Sequence, residues 1–230
     1  MKIKNFNCPF YSHLFGLQIN AKKTKALRVN MNKTEPFMLG DESIEDVESS
    51  VYLGSKVTKD GGTMQDVAQR IQKANGAFVQ LYPVWRNNNI SIRTKLRIFC
   101  RNVKSVLLYG SETWKVAKTT TSKLQVSINR CLRRILNIHW PEVISNEELW
   151  RRAEETEISI QIKRRKWNWI VHTLRKGHDI TEREVLDWNP QGQRIRGRPK
   201  QTWRRSVHNE ALGEGKSWGE VKQLARNRIR

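Results

Sequence analysis

The sequence predicts an α+β fold that is mainly α-helical, with a small strand unit at its N-terminus. Segments with strand character are confined to the first 62 residues, and after Gly62 the apolar residues recur with a period near 3.6. The charge changes at the same place, because residues 1–60 carry 9 Lys/Arg against 7 Asp/Glu and residues 61–150 carry 14 against 5. We therefore place a boundary between a strand unit and a basic helical region at about residue 62.

Three short segments predict the strand unit. Residues 26–30 are a strand candidate, and residues 36–41 predict a strand that runs into a Gly-Asp turn. Residues 51–58 alternate between apolar and polar side chains and stop at Asp60-Gly61-Gly62, which strongly favours a turn. With a helix expected before them, these segments predict a small sheet and a following hairpin.

Capping residues mark most of the predicted helix starts. Thr63 precedes the first apolar stripe, and Ser91 precedes a second helix that closes near Gly110. Ser145 and Ser217 are each followed three residues later by Glu, the capping-box pattern. The other predicted helices run from about Leu124 to Ile135 and stop at Pro141, run from Ile158 to Leu174, and begin near Pro199.

The composition favours a polyanionic partner. The 230 residues carry a net charge of +21 with a pI near 10.4, which attracts nucleic acid first and an anionic membrane surface second. No apolar run is long enough to span a bilayer, and the first dozen residues lack a secretory signal pattern. Because Cys8, Cys100 and Cys131 are odd in number and far apart, we expect a reducing, intracellular location, nuclear or cytoplasmic.

Two segments and their spacing resemble a known family. Gly16–Asn20, followed by Lys22–Lys25, precedes Tyr52–Lys56 by about thirty residues. This order is similar to the end of the palm domain in reverse transcriptases of non-LTR (LINE-type) retrotransposons. In that family the paired aspartates that hold the catalytic metals lie before the first segment, whereas the fifteen residues before Gly16 contain no Asp or Glu. The resemblance therefore implies a fragment of an RNA-directed DNA polymerase that is inactive alone, with no catalytic residue and no cofactor in this chain. Mg²⁺ is expected only for the intact polymerase.

The resemblance continues along the chain and covers about residues 14–230. Its later segments are 106–114, 129–133, 140–146, 165–167 and 196–205. Val171 departs from the family, which usually has Gly before the His of a Trp-x-Gly-His pattern, and residues 1–13 match nothing, as expected for an arbitrary start of a truncated reading frame. The organisation implied is an unmatched start (1–13), a palm remnant with a primer-grip-like hairpin (14–62), a helical thumb-like region (63–138), a helical C-terminal region (139–187), and a basic loop with terminal helices (188–230).

The lysines near the N-terminus have an implied role at phosphate. Lys22, Lys23 and Lys25 correspond to a family segment that lies close to the phosphates of the incoming nucleotide. A compact ammonium charge suits phosphate. The alternative for these lysines is a solvated helix cap.

The segment after them resembles the primer grip, a hairpin that holds the 3′ end of the primer. Gly54 permits a close approach of the backbone to a sugar-phosphate, and Tyr52 can stack on a base or sugar. The alternative is a simple core strand with Tyr52 and Leu53 on opposite faces.

Cations on the first helices after Gly62 have an implied thumb role. In the family this surface grips the template–primer duplex, and an RNA–DNA hybrid is recognised there by shape rather than sequence. The alternative, a solvated basic face, does not account for so large an excess of cations over acids. The cations assigned to the polar sides of these helices are Arg70, Lys73, Arg86, Arg93, Lys95, Arg97, Arg101 and Lys104.

The densest basic patch is predicted to be an extended loop before the last helices. Two Gly and two Pro between Asn189 and Lys200 exclude an ordinary helix. Trp188 and Trp203 flank the patch, and cations interleaved with aromatics suit single-stranded or structured RNA. A nuclear localisation signal and a disordered linker are the alternatives. The cations of this patch are Arg194, Arg196, Arg198, Lys200, Arg204 and Arg205.

Most tryptophans and histidines are expected to be structural. Trp85, Trp114 and Trp150 suit core or interface packing, whereas Trp167 and Trp169 are expected not to face the core of one helix together. The five histidines have no Cys partner at metal-ligand spacing, so no metal site is predicted.

Two functions remain open on the sequence alone. The first is a nucleic-acid-binding fragment of a retrotransposon reverse transcriptase, which contacts RNA, an RNA–DNA hybrid or the DNA backbone and no membrane. The second is an independent basic module, retained by a host, that binds RNA, DNA or protein. Both functions use the same surface, so the sequence does not separate them.

Overall fold

The computed structural model describes residues 16, 19–20, 22–29, 35–39, 41–177, 180–187 and 202–227. The chain divides into two compact units, Met1–Asp66 and Val67–Arg230. Short strands occupy the first unit and helices the second, so the predicted fold class, α+β and mainly α, is confirmed. The finer division into five segments stays a prediction.

Five short strands form two sheets in the N-terminal unit. In the first sheet, β3 (Glu42–Asp46) is central and pairs in parallel with β1 (Lys25–Ala26) and antiparallel with β2 (Phe37–Leu39). The second sheet is a hairpin of β4 (Ser49–Tyr52) and β5 (Ser55–Thr58). The sequence had not predicted β3, because this segment is mostly acidic and contains a single strand-forming residue, the buried Ile44.

The hairpin corrects the prediction of one continuous strand over residues 51–58. The chain reverses at Leu53 and Gly54, whose φ angles are 48° and 79°. Two positive φ values in a two-residue loop give the turn whose twist matches that of antiparallel strands. Gly adopts this conformation readily, whereas a leucine is strained in it. Leu53 therefore lies at the tip of the hairpin and not in a strand.

The N-terminal unit has a thin apolar core. Among its described residues, Ile44 is the one buried apolar side chain, while Phe37, Met38 and Val51 are exposed. The hairpin is fixed instead by a polar contact, since the Lys56 backbone N–H donates to the buried Asp66 carboxylate at 2.9 Å. Asp66 lies in the first turn of the following helix, where a negative charge is favourable.

Ten α-helices follow in the described part of the chain. The long helices have apolar stripes that face one side, as their sequence period predicts. Between α3 and α4 the helix continues through a π-helical segment, Phe99–Lys104, and Ser111–Thr113 is one turn of 3₁₀-helix. The α-helices are α1 (Met64–Gln80), α2 (Tyr82–Arg86), α3 (Ile92–Ile98), α4 (Ser105–Leu107), α5 (Lys118–Ile135), α6 (Asn146–Ala153), α7 (Ile158–Leu174), α8 (Thr181–Asp187), α9 (Trp203–Gly213) and α10 (Trp218–Arg226).

Three of the predicted caps, Ser91, Ser145 and Ser217, are confirmed, and the cap predicted at Thr63 stays a prediction. Ser91 and Ser145 accept hydrogen bonds from the third backbone N–H of α3 and α6, and Ser217 forms the complete capping box with Glu220. Helix α7 has the predicted bounds. The short helices α2 and α8 were not predicted because they hold too few residues for a periodic stripe. Pro199, placed at a helix start, lies outside the described residues.

Two buried clusters form the core of the helical unit. In the first, Trp85 stacks on Phe78 with ring centres 5.0 Å apart, and Phe99 meets Phe78 edge-on at 6.4 Å. The second lies between α7, α8, α9 and α10 and includes Ile170 and Leu174. Helix α7 contributes to both clusters, because its Ile158 and Ile162 belong to the first. No helix in the described part is long and apolar enough to cross a membrane.

The tryptophans of α7 depart from the prediction. Trp167 and Trp169 are both half-buried against the second cluster, because α7 is covered by other helices on more than one side. Trp167 donates its indole N–H to Glu210 at 2.8 Å, and Trp169 meets Trp203 edge-on at 6.0 Å. Trp85 and Trp114 are buried and Trp150 is partly buried, as predicted.

Candidate nucleic-acid interface

The first half of the helical unit has very little negative charge. Residues 67–141 contain 14 Lys/Arg and a single acid, Glu112. Every residue of this segment is described in the structure. With so few carboxylates in the sequence, most of these cations have no acidic neighbour along the chain. The segment therefore carries a strong positive field, which favours a polyanion.

Helix α3 and the π-helical segment that continues it present three arginines on the side opposite the core. Arg93, Arg97 and Arg101 are exposed, whereas Phe99 and Val103 point inward and are buried. Residues four apart lie about 6 Å apart along a helix axis, so the three guanidinium groups follow one face. Within the described residues, none of the three has an ion pair or a side-chain hydrogen bond. These arginines are available to an external anion.

Helix α5 presents a second basic face that the sequence analysis missed. Lys123, Arg130 and Arg134 are exposed and share one side of the helix, and the exposed Val126 lies beside them. The inward side of the same helix carries Leu124 and other buried residues. The signal was present in the sequence, because these cations fall opposite the apolar stripe at helical spacing.

An exposed tyrosine lies between cations of two helices. The guanidinium groups of Arg86 and Arg134 lie 5.4 Å and 5.5 Å from the centre of the Tyr82 ring. These distances are within the range of cation–π attraction. Tyr82 thereby brings the end of α5 and the short helix α2 together at one basic surface, and its side chain is 37% exposed.

Two of the predicted thumb residues are buried, which corrects their placement on polar helix sides. Arg70 lies with its guanidinium 4.5 Å from the Tyr109 ring centre, and Lys95 donates to the Trp85 carbonyl at 2.9 Å. Both long side chains are buried; the Lys95 ammonium meets an internal acceptor, and the Arg70 guanidinium lies over the ring of Tyr109, which is half exposed. Lys73 is exposed on α1, as predicted.

Lys104 likewise already has a partner within this protein. Its ammonium group pairs with the Glu155 carboxylate, which also accepts a hydrogen bond from the Cys100 thiol at 3.2 Å. Burial, and then the hydrogen bond to Glu155, raise the pKa of the Cys100 thiol to about 11. Burial also raises the pKa of Cys131 to about 11. Both thiols therefore stay protonated and unreactive near neutral pH.

The predicted basic loop is described only at its C-terminal end. Arg194, Arg196, Arg198 and Lys200 lie outside the described residues. Arg204 donates to the Asp187 carbonyl at 2.8 Å, and Arg205 is exposed on α9. Thr202 caps this helix by accepting from the Arg205 backbone N–H at 3.2 Å.

In the N-terminal unit, the primer-grip-like segment forms the exposed tip of the β4–β5 hairpin. Tyr52 and Leu53 are 70% and 72% exposed, and Gly54 completes the turn. The alternative of a core strand is therefore wrong for Leu53. An exposed aromatic and an exposed leucine at a tight turn are available for contact with another molecule.

The predicted phosphate lysines lie on the surface of the same unit. Lys22 and Lys23 are exposed in a turn in which the Lys23 backbone N–H donates to the Asn20 side chain at 3.1 Å. Lys25 lies on β1 and pairs with Glu45 on the neighbouring strand at 3.0 Å. Lys22 and Lys23 are thus more accessible to phosphate than Lys25.

No metal site is visible among the described residues, in which no three His, Cys, Asp or Glu side chains come together. His139 and His208 have structural contacts instead. His139 Nδ1 lies 3.0 Å from the Asn137 carbonyl, and the His208 ring stacks on Trp218 with centres 5.0 Å apart.

Comparisons with known proteins add two matches. Residues 77–109, which span α2, α3 and the π-helical segment, match the model of a domain of unknown function (DUF6451). A transposon-derived protein of Caenorhabditis elegans is 26% identical over 210 residues, which cover 85% of this chain and 73% of that protein. No solved structure matches the chain.

Proposed function

We propose that this chain is the nucleic-acid-binding part of a transposon-derived protein and that it contacts the phosphate backbone through α3 and α5. The observation that carries the proposal is a set of exposed arginines on α3 and the π-helical segment after it. Arg93, Arg97 and Arg101 lack acidic partners among the described residues. The similarity to a transposon-derived relative supports the proposal, because transposition takes place on nucleic acid.

Backbone contact suits this surface better than base recognition. Guanidinium groups spaced along one helix face can bind successive phosphate oxygens, and such contacts carry no sequence information. The proposed binding is therefore tolerant of sequence and driven by the release of counterions. Tyr82, between Arg86 and Arg134, adds an aromatic ring at the basic face of α5.

Within this proposal, the finer assignment is the C-terminal part of a LINE-type reverse transcriptase. The ordered motifs from Gly16 to Arg205 support it, and so does the hairpin at Tyr52–Gly54, where a primer grip is expected. The faces of α3 and α5 would then act as the thumb and hold an RNA–DNA hybrid by its shape. RNA, an RNA–DNA hybrid and DNA are accordingly the proposed partners.

The test compares two triple variants that remove equal charge. The first replaces Arg93, Arg97 and Arg101 with Ala. The control replaces Lys163, Lys176 and Lys222 with Ala. Each of these lysines has an acidic partner: Lys163 pairs with Glu214 at 3.0 Å, Lys176 with Glu182 at 3.1 Å, and Lys222 with Asp187 at 2.8 Å. Binding to an RNA–DNA hybrid is measured by fluorescence anisotropy over a range of salt concentrations.

We expect the Arg93, Arg97 and Arg101 variant to bind the hybrid more weakly than the unmodified chain. The slope of the logarithm of its association constant against the logarithm of the salt concentration should be smaller by up to about three. The control should keep a slope close to that of the unmodified chain, because its lysines already have acidic partners. Equal losses in both variants would mean that net charge alone attracts the nucleic acid, and that the α3 face is not a binding surface.

A further inference from the structure

The loop between α5 and α6 presents the two most exposed large apolar side chains of the described residues. Trp140 is 85% exposed and Val143 is 86% exposed. The contrast with Trp85 and Trp114 is large, since these are 4% and 2% exposed in the core of the same unit. Burial of a large apolar side chain stabilises a fold, so an indole left in water forgoes that stabilisation. An aromatic at such a position is available to a partner.

The loop is held in place by the fold on both sides of Trp140. Before it, Ile138 is buried and its backbone N–H donates to the Arg133 carbonyl at 2.8 Å. After it, the Glu142 backbone N–H donates to the His139 carbonyl at 3.0 Å, and the Glu142 carboxylate pairs with Arg152 at 3.0 Å. The indole therefore projects from an ordered support, and ordering it on binding costs little entropy.

The electrostatic setting of the loop favours an anionic partner. Trp140 follows α5, whose last turn carries Arg133 and Arg134 and whose preceding turn carries Arg130. Arg133 is held by a hydrogen bond to the neutral Asn146 side chain at 2.9 Å, so its charge is not neutralised there. Two of the three acids nearest the loop are already paired, because Glu142 and Glu148 both bind Arg152, and the third, Glu147, is exposed in the first turn of α6. An apolar protein surface gains nothing from these charges, whereas a nucleic acid gains from both the charges and the ring.

We propose that Trp140 is a stacking platform for an unpaired base of RNA or single-stranded DNA, next to the basic face of α5. The inference rests on the proposed function and adds a preference for single strands. A base in a duplex is covered by its neighbours, whereas an unpaired base can lay its ring on an indole while its phosphates approach the arginines. Because every base has an aromatic face, the contact tolerates sequence.

The test measures anisotropy of a labelled single-stranded RNA and of a blunt RNA–DNA hybrid with the unmodified chain and three variants. Trp140→Ala removes the ring, Trp140→Phe keeps an aromatic, and Val143→Ala is the matched control for an equally exposed apolar side chain. We expect Trp140→Ala to weaken binding of the single strand by about 5- to 150-fold, the equivalent of one base–aromatic stack. Binding of the blunt hybrid should stay within about twofold. Trp140→Phe should recover most of the loss, and Val143→Ala should bind both probes normally.

Other outcomes overturn the inference. If Trp140→Ala binds the single strand as the unmodified chain does, the ring takes no part in binding. If it loses both probes equally, the residue has no role specific to unpaired bases. If the variant instead changes the sedimentation behaviour of the free chain, Trp140 belongs to a contact between copies. Failure of the unmodified chain to bind either probe would overturn the proposed function itself, which keeps the two failures distinct.

Discussion

The ammonium group of Lys95 donates a 2.9 Å hydrogen bond to the Trp85 carbonyl inside the helical unit, while Arg93, about half a turn away on the same helix, is exposed to solvent. The two cations are two residues apart in the sequence and occupy opposite sides of α3. The burial of Lys95 and the exposure of Arg93 distinguish the cations that stabilise the fold from those that are available to a ligand.

This relationship predicts opposite phenotypes for two matched substitutions. Lys95→Met should destabilise the protein by about 1–3 kcal/mol, because it leaves a buried carbonyl without its donor. Arg93→Met should change stability by no more than about 0.5 kcal/mol but should weaken binding to nucleic acid. Urea denaturation followed by circular dichroism measures the first effect, and anisotropy measures the second. If Lys95→Met unfolds normally but loses binding, the assignment of the two roles is wrong.

A second prediction concerns the buried ion pair of α7 and α9. Lys166 is 2% exposed, and its ammonium group lies against the Glu210 carboxylate, which also accepts the Trp167 indole N–H at 2.8 Å. Glu210→Ala leaves a buried charge without a partner and should cost about 3 kcal/mol. Its control on the same segment is Glu214→Ala, which removes a solvent-exposed partner of Lys163 and should cost about 0–1 kcal/mol. Equal losses of stability in the two variants, measured by thermal denaturation, would show that water reaches the Lys166 ammonium group.

A third prediction concerns pH. Burial, and then the positive charge of Arg204, lower the pKa of His208 below its ordinary value of 6.5, against an opposing effect of Asp187. The unfolded chain therefore binds a proton that the folded chain resists, so stability should fall as the pH falls through about 6.5. In His208→Phe, which keeps a ring over Trp218, the loss of stability between about pH 7.5 and 5.5 should be smaller than in the unmodified protein. Denaturation curves with the same pH dependence in both proteins would contradict the assignment.

The hairpin tip gives a fourth prediction. Leu53 has a φ of 48°, a conformation in which Asn is tolerated far better than Leu. Leu53→Asn should therefore stabilise the hairpin, by an amount on the order of 1 kcal/mol, and slow the hydrogen exchange of its amides. If the tip acts as a primer grip, the same variant should bind a primed template more weakly. Faster exchange after the substitution would mean that the leucine side chain packs on something that stabilises the turn.

The sequence predicted the long helices well because their signals are local. Caps such as Ser91, Ser145 and Ser217 and the apolar stripe of α7 depend on residues within a few turns, so the helix starts could be located without the fold. The alternation of residues 51–58 predicted an unbroken strand, because leucine is a poor marker of positive φ. The hairpin at Tyr52–Gly54 was implied only by the resemblance to a primer grip. The turn there is closed by the pairing of β4 with β5 and by the positive φ of Gly54, which the alternation of residues 51–58 does not mark.

The sequence predicted that the helical region is basic, but it did not predict which of its cations are exposed and which are buried. Net charge and the run of cations after Gly62 pointed to a nucleic-acid surface, yet Arg70 and Lys95 turned out to be buried against Tyr109 and Trp85. A long basic side chain can reach inward from the margin of an apolar stripe, and its direction depends on which helix covers it. The basic face of α5 was overlooked, although its helical spacing was visible in the sequence.

The measurement that tests the central claim most directly is the salt dependence of nucleic-acid binding by the unmodified chain. If the exposed cations of α3 and α5 contact about six to ten phosphates, affinity for an RNA–DNA hybrid should fall by about 10³–10⁵ between 50 and 200 mM salt. Hybrids of different sequence should show the same affinity and the same slope. An affinity that barely changes with salt would contradict the claim that these cations form the binding surface.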